Sequence, residues 1–327
     1  MASAQLKTFS YVLRRLLETI PLVLGVVAIS FSLIHLSPGD PASLLAGDFA
    51  DAATVEKLRQ EFGLDEPIHV QFATYVAKIF TGDLGYSYRY RAPVMSLIMS
   101  RLPNTLLLLL VAFALSLLLG IVLAVLAARK PNSLLDNSVS GFAMIGYCLP
   151  TFWSGMMLIL LFSATLQWLP TGGMYSLKAD HSGLGLVFDV AKHLVLPAAT
   201  YTAYFMAISY RLTRSKVIET LREDFIKTAR AKGLSENEVL FRHALRNSLV
   251  PVVAVMGLNF GVMVGGSVTV ETVFSWPGVG RLMYDSILSR DYPLLLGIFV
   301  IVSIGIIVAN LIADLLTAAI DPRIVYE

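Results

Sequence analysis

The chain has 327 residues, of which 56% are hydrophobic and 15% charged. A soluble domain carries ~45–50% apolar residues even with glycine counted, and about 25% charged ones. A water-soluble globular enzyme and a disordered chain are therefore excluded, and an integral membrane protein with several spans remains. A net charge of +2 provides no basic field that would make nucleic acid a partner.

A spanning helix needs about 20 mostly apolar residues. The first such stretch is Leu16 to Leu36, interrupted by Glu18 and preceded by Lys7, Arg14 and Arg15. Its apolar region exceeds the ~7–15 residues of a signal peptide, so it reads as a retained anchor and first span. Residues 37–103 then form a polar excursion. It opens on the turn cluster Ser37-Pro38-Gly39-Asp40-Pro41, and a helix is expected near Ala53 to Phe62 with Gly63 as its C-cap. A second amphipathic stretch covers Ile68 to Phe80, followed by Gly82-Asp83-Leu84-Gly85. The run Tyr86, Tyr88, Arg89, Tyr90 and Arg91 reads as a membrane-interface belt rather than a base-stacking surface.

The second span is Thr105 to Ala128, ended by Arg129-Lys130-Pro131. Residues 137–169 are too long for one straight crossing and too short for two, so Pro150 in their middle predicts a kinked or broken helix. Cys148, the single cysteine, lies in that apolar run and is expected to be a small buried hydrophobe. Trp153 and Trp168 are candidate interface markers. The remaining spans are His193 to Leu212, Ser248 to Val273 and Pro293 to Thr317. Six spans put both termini on one side. That side, with the short loops, holds 15 Lys and Arg against 10 opposite, so both termini are expected to be cytoplasmic.

The 211–247 loop is the most informative soluble part. Two helices are predicted to meet at Gly233, and Ser235 with Glu238 forms an S-x-x-E capping box. Its nine basic residues would suit a DNA-binding helix–turn–helix, but spans flank it closely on both sides. A solvated loop that only sets topology needs neither caps nor acids. A docking surface for a cytoplasmic partner accounts for both. No GxxxxGK[ST] or HExxH occurs, and His35, His69, His181, His193 and His243 have no ligand spacing.

In the fifth span Gly257, Gly261 and Gly265 recur every fourth residue, a stripe suited to close helix contact within the subunit or to a moving contact with a partner. Asn259 and Glu271 are pathway candidates, with hydrogen bonding inside the subunit the competing role. Asp314 reads as structural. The segment 274–292 reads as an extracytoplasmic capping element, with Trp276 as its amphipathic anchor and Pro277-Gly278 as its turn.

Several of these elements together resemble the permease subunits of binding-protein-dependent ABC importers. The 211–247 loop is similar to the cytoplasmic EAA loop in its peptide and nickel form, close to E-D-x-x-x-T-A-R-A-K-G-L-S. Here it reads Glu223-Asp224, then Lys227-Thr228-Ala229-Arg230-Ala231-Lys232-Gly233-Leu234-Ser235, then His243-Ala244-Leu245-Arg246-Asn247. Pro38-Gly39-Asp40-Pro41, Phe62-Gly63-Leu64-Asp65, Gly82-Asp83-Leu84-Gly85, Glu271 to Arg281, Arg290-Asp291-Tyr292-Pro293 and Asp321-Pro322-Arg323 follow the family order. One departure is Lys227, where the wider pattern has Glu, so no Glu-based bridge is carried over there.

The resemblance implies an all-α, six-span type I importer permease. It divides into residues 1–103, an anchor helix plus an extracytoplasmic segment, and 104–327, a core with the coupling loop. It implies a multi-pass inner-membrane protein, non-catalytic and binding no cofactor itself. Its implied partners are a second homologous permease, two ATPases that bind ATP and Mg, an extracytoplasmic binding protein and membrane lipids. Glu223, Asp224, Lys227, Thr228, Ala229, Arg230, Ala231, Lys232, Gly233 and Leu234 would couple to the ATPases. Dipeptides or oligopeptides are the expected cargo, with nickel or a metal chelate the alternative. An ATP-independent secondary transporter is a more distant reading, and no residue spacing supports a membrane enzyme.

Overall fold

The structure is a computed structural model that describes residues 2–36, 40–46, 51–61, 63–87, 89–176 and 183–320, with side chains from Leu17 onward except at 34, 61 and 318–320. Ser37, Pro38, Gly39, Phe62, Tyr88 and Asp321-Pro322-Arg323, and the side chains of Lys7, Arg14 and Arg15, lie outside the described residues. The chain divides into two compact units, residues 1–105 with 277–308, and residues 106–276 with 309–325.

The first unit begins with α1 (Ala2–Leu36), whose described apolar stretch is Leu17–Leu33. Three short helices follow: α2 (Pro41–Ala46), α3 (Ala52–Glu61) and α4 (Ile68–Phe80). Side-chain caps explain where the first two start. Asp40 accepts from the Ser43 amide at 3.1 Å, and Asp51 accepts from that of Thr54 at 2.9 Å. Gly63, at φ +60°, ends α3 with its amide on Gln60 O, and Leu64 N returns to Arg59 O, a left-handed C-cap. α4 packs on α1 through Phe31, whose ring lies 5.3 Å from Phe72 and 5.8 Å from Tyr75, while His35 Nε2 pairs with Gln71 Oε1 at 2.8 Å.

A two-stranded antiparallel hairpin, β1 (Tyr86–Ser87) with β2 (Ala92–Pro93), leads into α5 (Val94–Ala128). The start of α5 packs with α12 (Val279–Leu288) and the start of α13 (Tyr292–Ile320) around Val94, Ile98, Leu282, Leu294 and Ile298.

The second unit contains the rest of α5 and a broken helix, α6 (Leu134–Cys148) and α7 (Thr151–Leu158), bent by 106° at the break. The cause is Pro150. It forces Leu149 into an extended conformation (φ −75°, ψ 131°) and ends α6. α7 runs on as a π-helical turn, Ile159–Thr165. Cys148 is exposed, not the buried hydrophobe expected. It sits in the last turn of α6, whose interior contacts in this chain are made instead by Ala143. Trp168 is exposed, and so is Trp153.

α8 (Gly183–Thr220) is longer than the 20 residues expected, extending about ten residues before His193 and eight beyond Leu212. α9 (Asp224–Ala231) follows, then α10 (Glu236–Glu238), which passes through a π-helical stretch, Val239–Leu245, into α11 (Arg246–Val273). The expected loop helix and fifth span are thus one continuous helix, Glu236–Val273, because no breaker separates them and Pro251 sits inside it without ending it. The core is formed by Leu108, Leu109, Tyr201, Phe205, Met256, Met263, Phe274 and Trp276.

Among the described residues four helices are long and apolar enough to span a bilayer, and the bent α6–α7 pair makes a fifth candidate.

Candidate functional site

The segment between α8 and α10 is built as the sequence predicts. α9 buries Ile226 and Ala229 against Val239, Ala244, Leu221 and Leu234. Glu223, Asp224, Phe225, Lys227, Thr228, Arg230, Ala231 and Lys232 are all exposed. Gly233 takes φ +80° after α9, a conformation an L side chain rarely adopts. The Ser235–Glu238 capping box is complete. Ser235 Oγ accepts from the Glu238 amide, and the Ser235 amide donates to Glu238 Oε2 at 3.0 Å. The turn between the helices is also clamped by charge. Arg230 donates two bonds to Glu236, at 2.8 and 3.0 Å, which holds its guanidinium above its ordinary pKa.

Lys227, the departure from the wider pattern, pairs with Asp224 at 2.8 Å. Asp224 is therefore partly neutralised, and Glu223 is the more available acid. A cleft of about 450 Å³ at the α8–α9 corner is lined by Ser215, Ile218, Glu219, Arg222, Glu223 and Asp224. Phe225 was not a candidate from the sequence. It is 42% exposed, a bulky apolar knob on an otherwise charged face. Its signal was readable: it breaks the apolar spacing that Ile226 and Ala229 set for the buried side.

The glycines of α11 do not act as one stripe. A Cβ on Gly257 would collide with that of Ala313 on α13, so this end is an intrachain contact. Gly261 is buried, and Gly265 is exposed. Asn259 is half-buried and donates from Nδ2 to Val255 O at 2.8 Å. It also lines a cleft of about 810 Å³ together with Ser140, Tyr147, Tyr210, Arg211 and Arg214, from α6, α8 and α11. Beside this cleft, Arg214 donates two 2.6 Å bonds to Asp136, which is 1% exposed. Tyr210 and the Asn132 amide complete that carboxylate's shell. This bidentate clamp joins the start of α6 to α8, and single-residue reading missed it because its members are 78 positions apart.

Glu271 is fully buried at the end of α11, and its carbonyl accepts from the Trp276 amide at 2.8 Å. Trp276 is fully buried too, so it is a core residue of the second unit and not a surface anchor. The reason is local: the chain folds back after α11, with Ser275 at φ 51°, and turns the indole inward. Pro277 and Gly278 line a cleft of about 250 Å³ with Tyr90, Arg101, Arg281 and Asp285 in the first unit. Gly278 is the N-cap of α12. The Val279 amide there finds Thr105 Oγ1 at 2.8 Å, and Asn104 Nδ2 donates to Pro277 O at 2.8 Å.

Residues 117–326 match the family described as the binding-protein-dependent transport system inner membrane component, and residues 8–109 match its N-terminal family. The chain is 43% identical to the oligopeptide transport system permease protein AppB of Bacillus subtilis strain 168, over 97% of this chain and 99% of that protein. It is 41% identical to the glutathione transport system permease protein GsiC of Escherichia coli strain K12, with the same coverage. In fold it is similar to a chain of the inward-facing MetNI methionine ABC transporter (TM-score 0.56, 16% identity, 69% of this chain and 97% of that one). It is also similar in fold to an amino acid ABC transporter (TM-score 0.50, 16% identity, 70% and 94%).

Proposed function

The chain belongs to the family of binding-protein-dependent transport inner membrane components, and from that premise we propose that it forms half of the membrane pathway of an ATP-driven peptide importer. The observation that carries this reading is identity of 41–43% over 97% of the chain to permeases named for oligopeptide and glutathione transport. Glutathione is itself a tripeptide, so both relatives are named for peptide-class cargo. Nickel has no such support.

In this reading the chain has six passes and cytoplasmic termini, with residues 1–103 as anchor and extracytoplasmic segment and 104–327 as core. A second homologous permease completes the pathway, two ATPases bind ATP and Mg, and an extracytoplasmic binding protein delivers cargo. This chain contributes no cofactor site and no hydrolytic step. Residues 223–234 ride in an ATPase groove, Phe225 supplies an apolar contact there, and the carboxylate of Glu223 faces basic side chains of the ATPase. Closure of the ATPases on ATP shifts the spans between inward-facing and outward-facing populations. Pro277 and Gly278 cap the extracytoplasmic end. Gly265 and Asn259 belong to the pathway or the permease–permease contact, while Gly261 and Glu271, buried inside this chain, serve its own packing.

The test is calorimetry on the cognate binding protein with tripeptides and with Ni²⁺, followed by uptake of the ligand into proteoliposomes holding the whole importer. Peptide binding and ATP-dependent peptide uptake are expected. Binding of Ni²⁺ alone, or uptake that persists without the ATPases, overturns the reading.

A further inference from the structure

The cleft between α6, α8 and α11 contains two arginines with different fates. Arg214 is committed to Asp136 by its bidentate pair. Arg211, three residues earlier on α8, is exposed, and no carboxylate pairs with it among the described residues. Its guanidinium lies 5.9 Å from the ring centroid of Tyr147, which stacks on Tyr204 at 5.2 Å and 18°. That aromatic pair gives the guanidinium a flat support at the wall of the cleft. Across the cleft stand Asn259 and Val255 of α11, with Ser140 on α6. Arg211 lies in the last turn of the expected fourth span, where a long basic side chain can reach water, and it lines this cleft. Here the cation is built into a concave space of about 810 Å³, larger than a tripeptide's carboxyl end requires.

We propose that Arg211 is a transit-binding residue that receives the carboxylate of the cargo as it passes through this cleft, with Tyr147 holding the guanidinium in place. The proposal rests on the peptide reading above. Every unmodified peptide carries a C-terminal carboxylate whatever its side chains, so a single cation serves a mixed cargo. A positive charge is what this recognition needs, and the open cleft allows release.

The test uses the complete importer in proteoliposomes, with radiolabelled trialanine as cargo and peptide imported per ATP hydrolysed as the readout. Arg211→Gln is expected to lower that ratio at least fivefold, Arg211→Glu to lower it further, and Arg211→Lys to recover at least half of the wild-type value. A purely structural role would not follow charge in this order. An Arg211→Gln importer with the wild-type ratio overturns the proposal, and so does an Arg211→Lys importer as impaired as Arg211→Gln. If wild-type protein loses the same factor on going from vesicles containing phosphatidylglycerol to vesicles of phosphatidylcholine alone, Arg211 serves an anionic lipid headgroup and the proposal fails. Absence of trialanine uptake by the wild-type importer overturns the peptide reading itself, and this inference with it.

Discussion

Gly233 holds φ +80° with open space where a Cβ would stand, so the objection to a side chain there is conformational and not steric. A left-handed L residue costs roughly 1–2 kcal/mol. Gly233→Val is expected to loosen the α9–α10 turn and reduce transport per ATP, with Gly233→Asn milder because Asn visits that region. Paired uptake and ATPase assays on the reconstituted importer check this, and wild-type coupling in the valine variant would refute it. Gly297 makes the opposite case. A Cβ there would lie 2.5 Å from Val94 Cγ1, so Gly297→Val overpacks the α5–α13 contact of the first unit. A loss of about 1–3 kcal/mol follows, visible as a lower melting temperature in detergent. Asp291 adds a pH term. Burial pushes its carboxyl above the ordinary 3.8, partly offset by bonds from Ser87 and the Leu294 amide and by the charge of Arg89. The folded state then holds more protons than the unfolded one just above pH 3.8, so stability falls as pH rises through that window. Asp291→Asn is expected to flatten this part of the melting profile.

Between elements, the informative contacts join motifs distant in sequence. Gly82-Asp83-Leu84-Gly85 and Arg290-Asp291-Tyr292-Pro293 look unrelated along the chain. In the fold Gly85 lies against Pro293, Leu84 against Gly297, and Ser87 donates to Asp291. The capped turn at 233–238 is the contrasting case. Ser235→Ala is expected to cost about 1 kcal/mol and to speed amide exchange over 235–240, as hydrogen–deuterium exchange would show. That turn was legible from sequence because its glycine, serine and glutamate act on neighbours within a few residues. So was the break at Pro150, a purely local effect. The Asp136–Arg214 clamp, the burial of Trp276 and the exposure of Cys148 were not. Each depends on which face of a helix meets another chain segment, and in spans that are apolar on all sides the pattern of residue types does not mark that face. The same uniformity concealed the division of labour among Gly257, Gly261 and Gly265.

For the whole molecule, the positive-inside count and the proposed function make a joint prediction about sidedness. In a Cys148→Ser background, a cysteine replacing Glu66 is expected to react with a membrane-impermeant maleimide from outside the cell, and one replacing Lys130 only after permeabilisation. The reverse pattern would invert the topology and remove α9 from the reach of the ATPases. The continuity of α8 has a mechanical consequence. Pro197 removes one helix hydrogen bond and marks the point of least bending stiffness. From there the helix runs without another proline to Thr220, a rod of about 35 Å at 1.5 Å per residue, with Arg211 about 21 Å along it. A tilt of ~5° about that fulcrum displaces the Thr220 end by ~3 Å and Arg211 by ~2 Å. If the proposed coupling at α9 drives it, the helix acts as a lever with a gearing of about 0.6, scaling a stroke delivered there into a smaller, proportionate shift of the cation in the cleft.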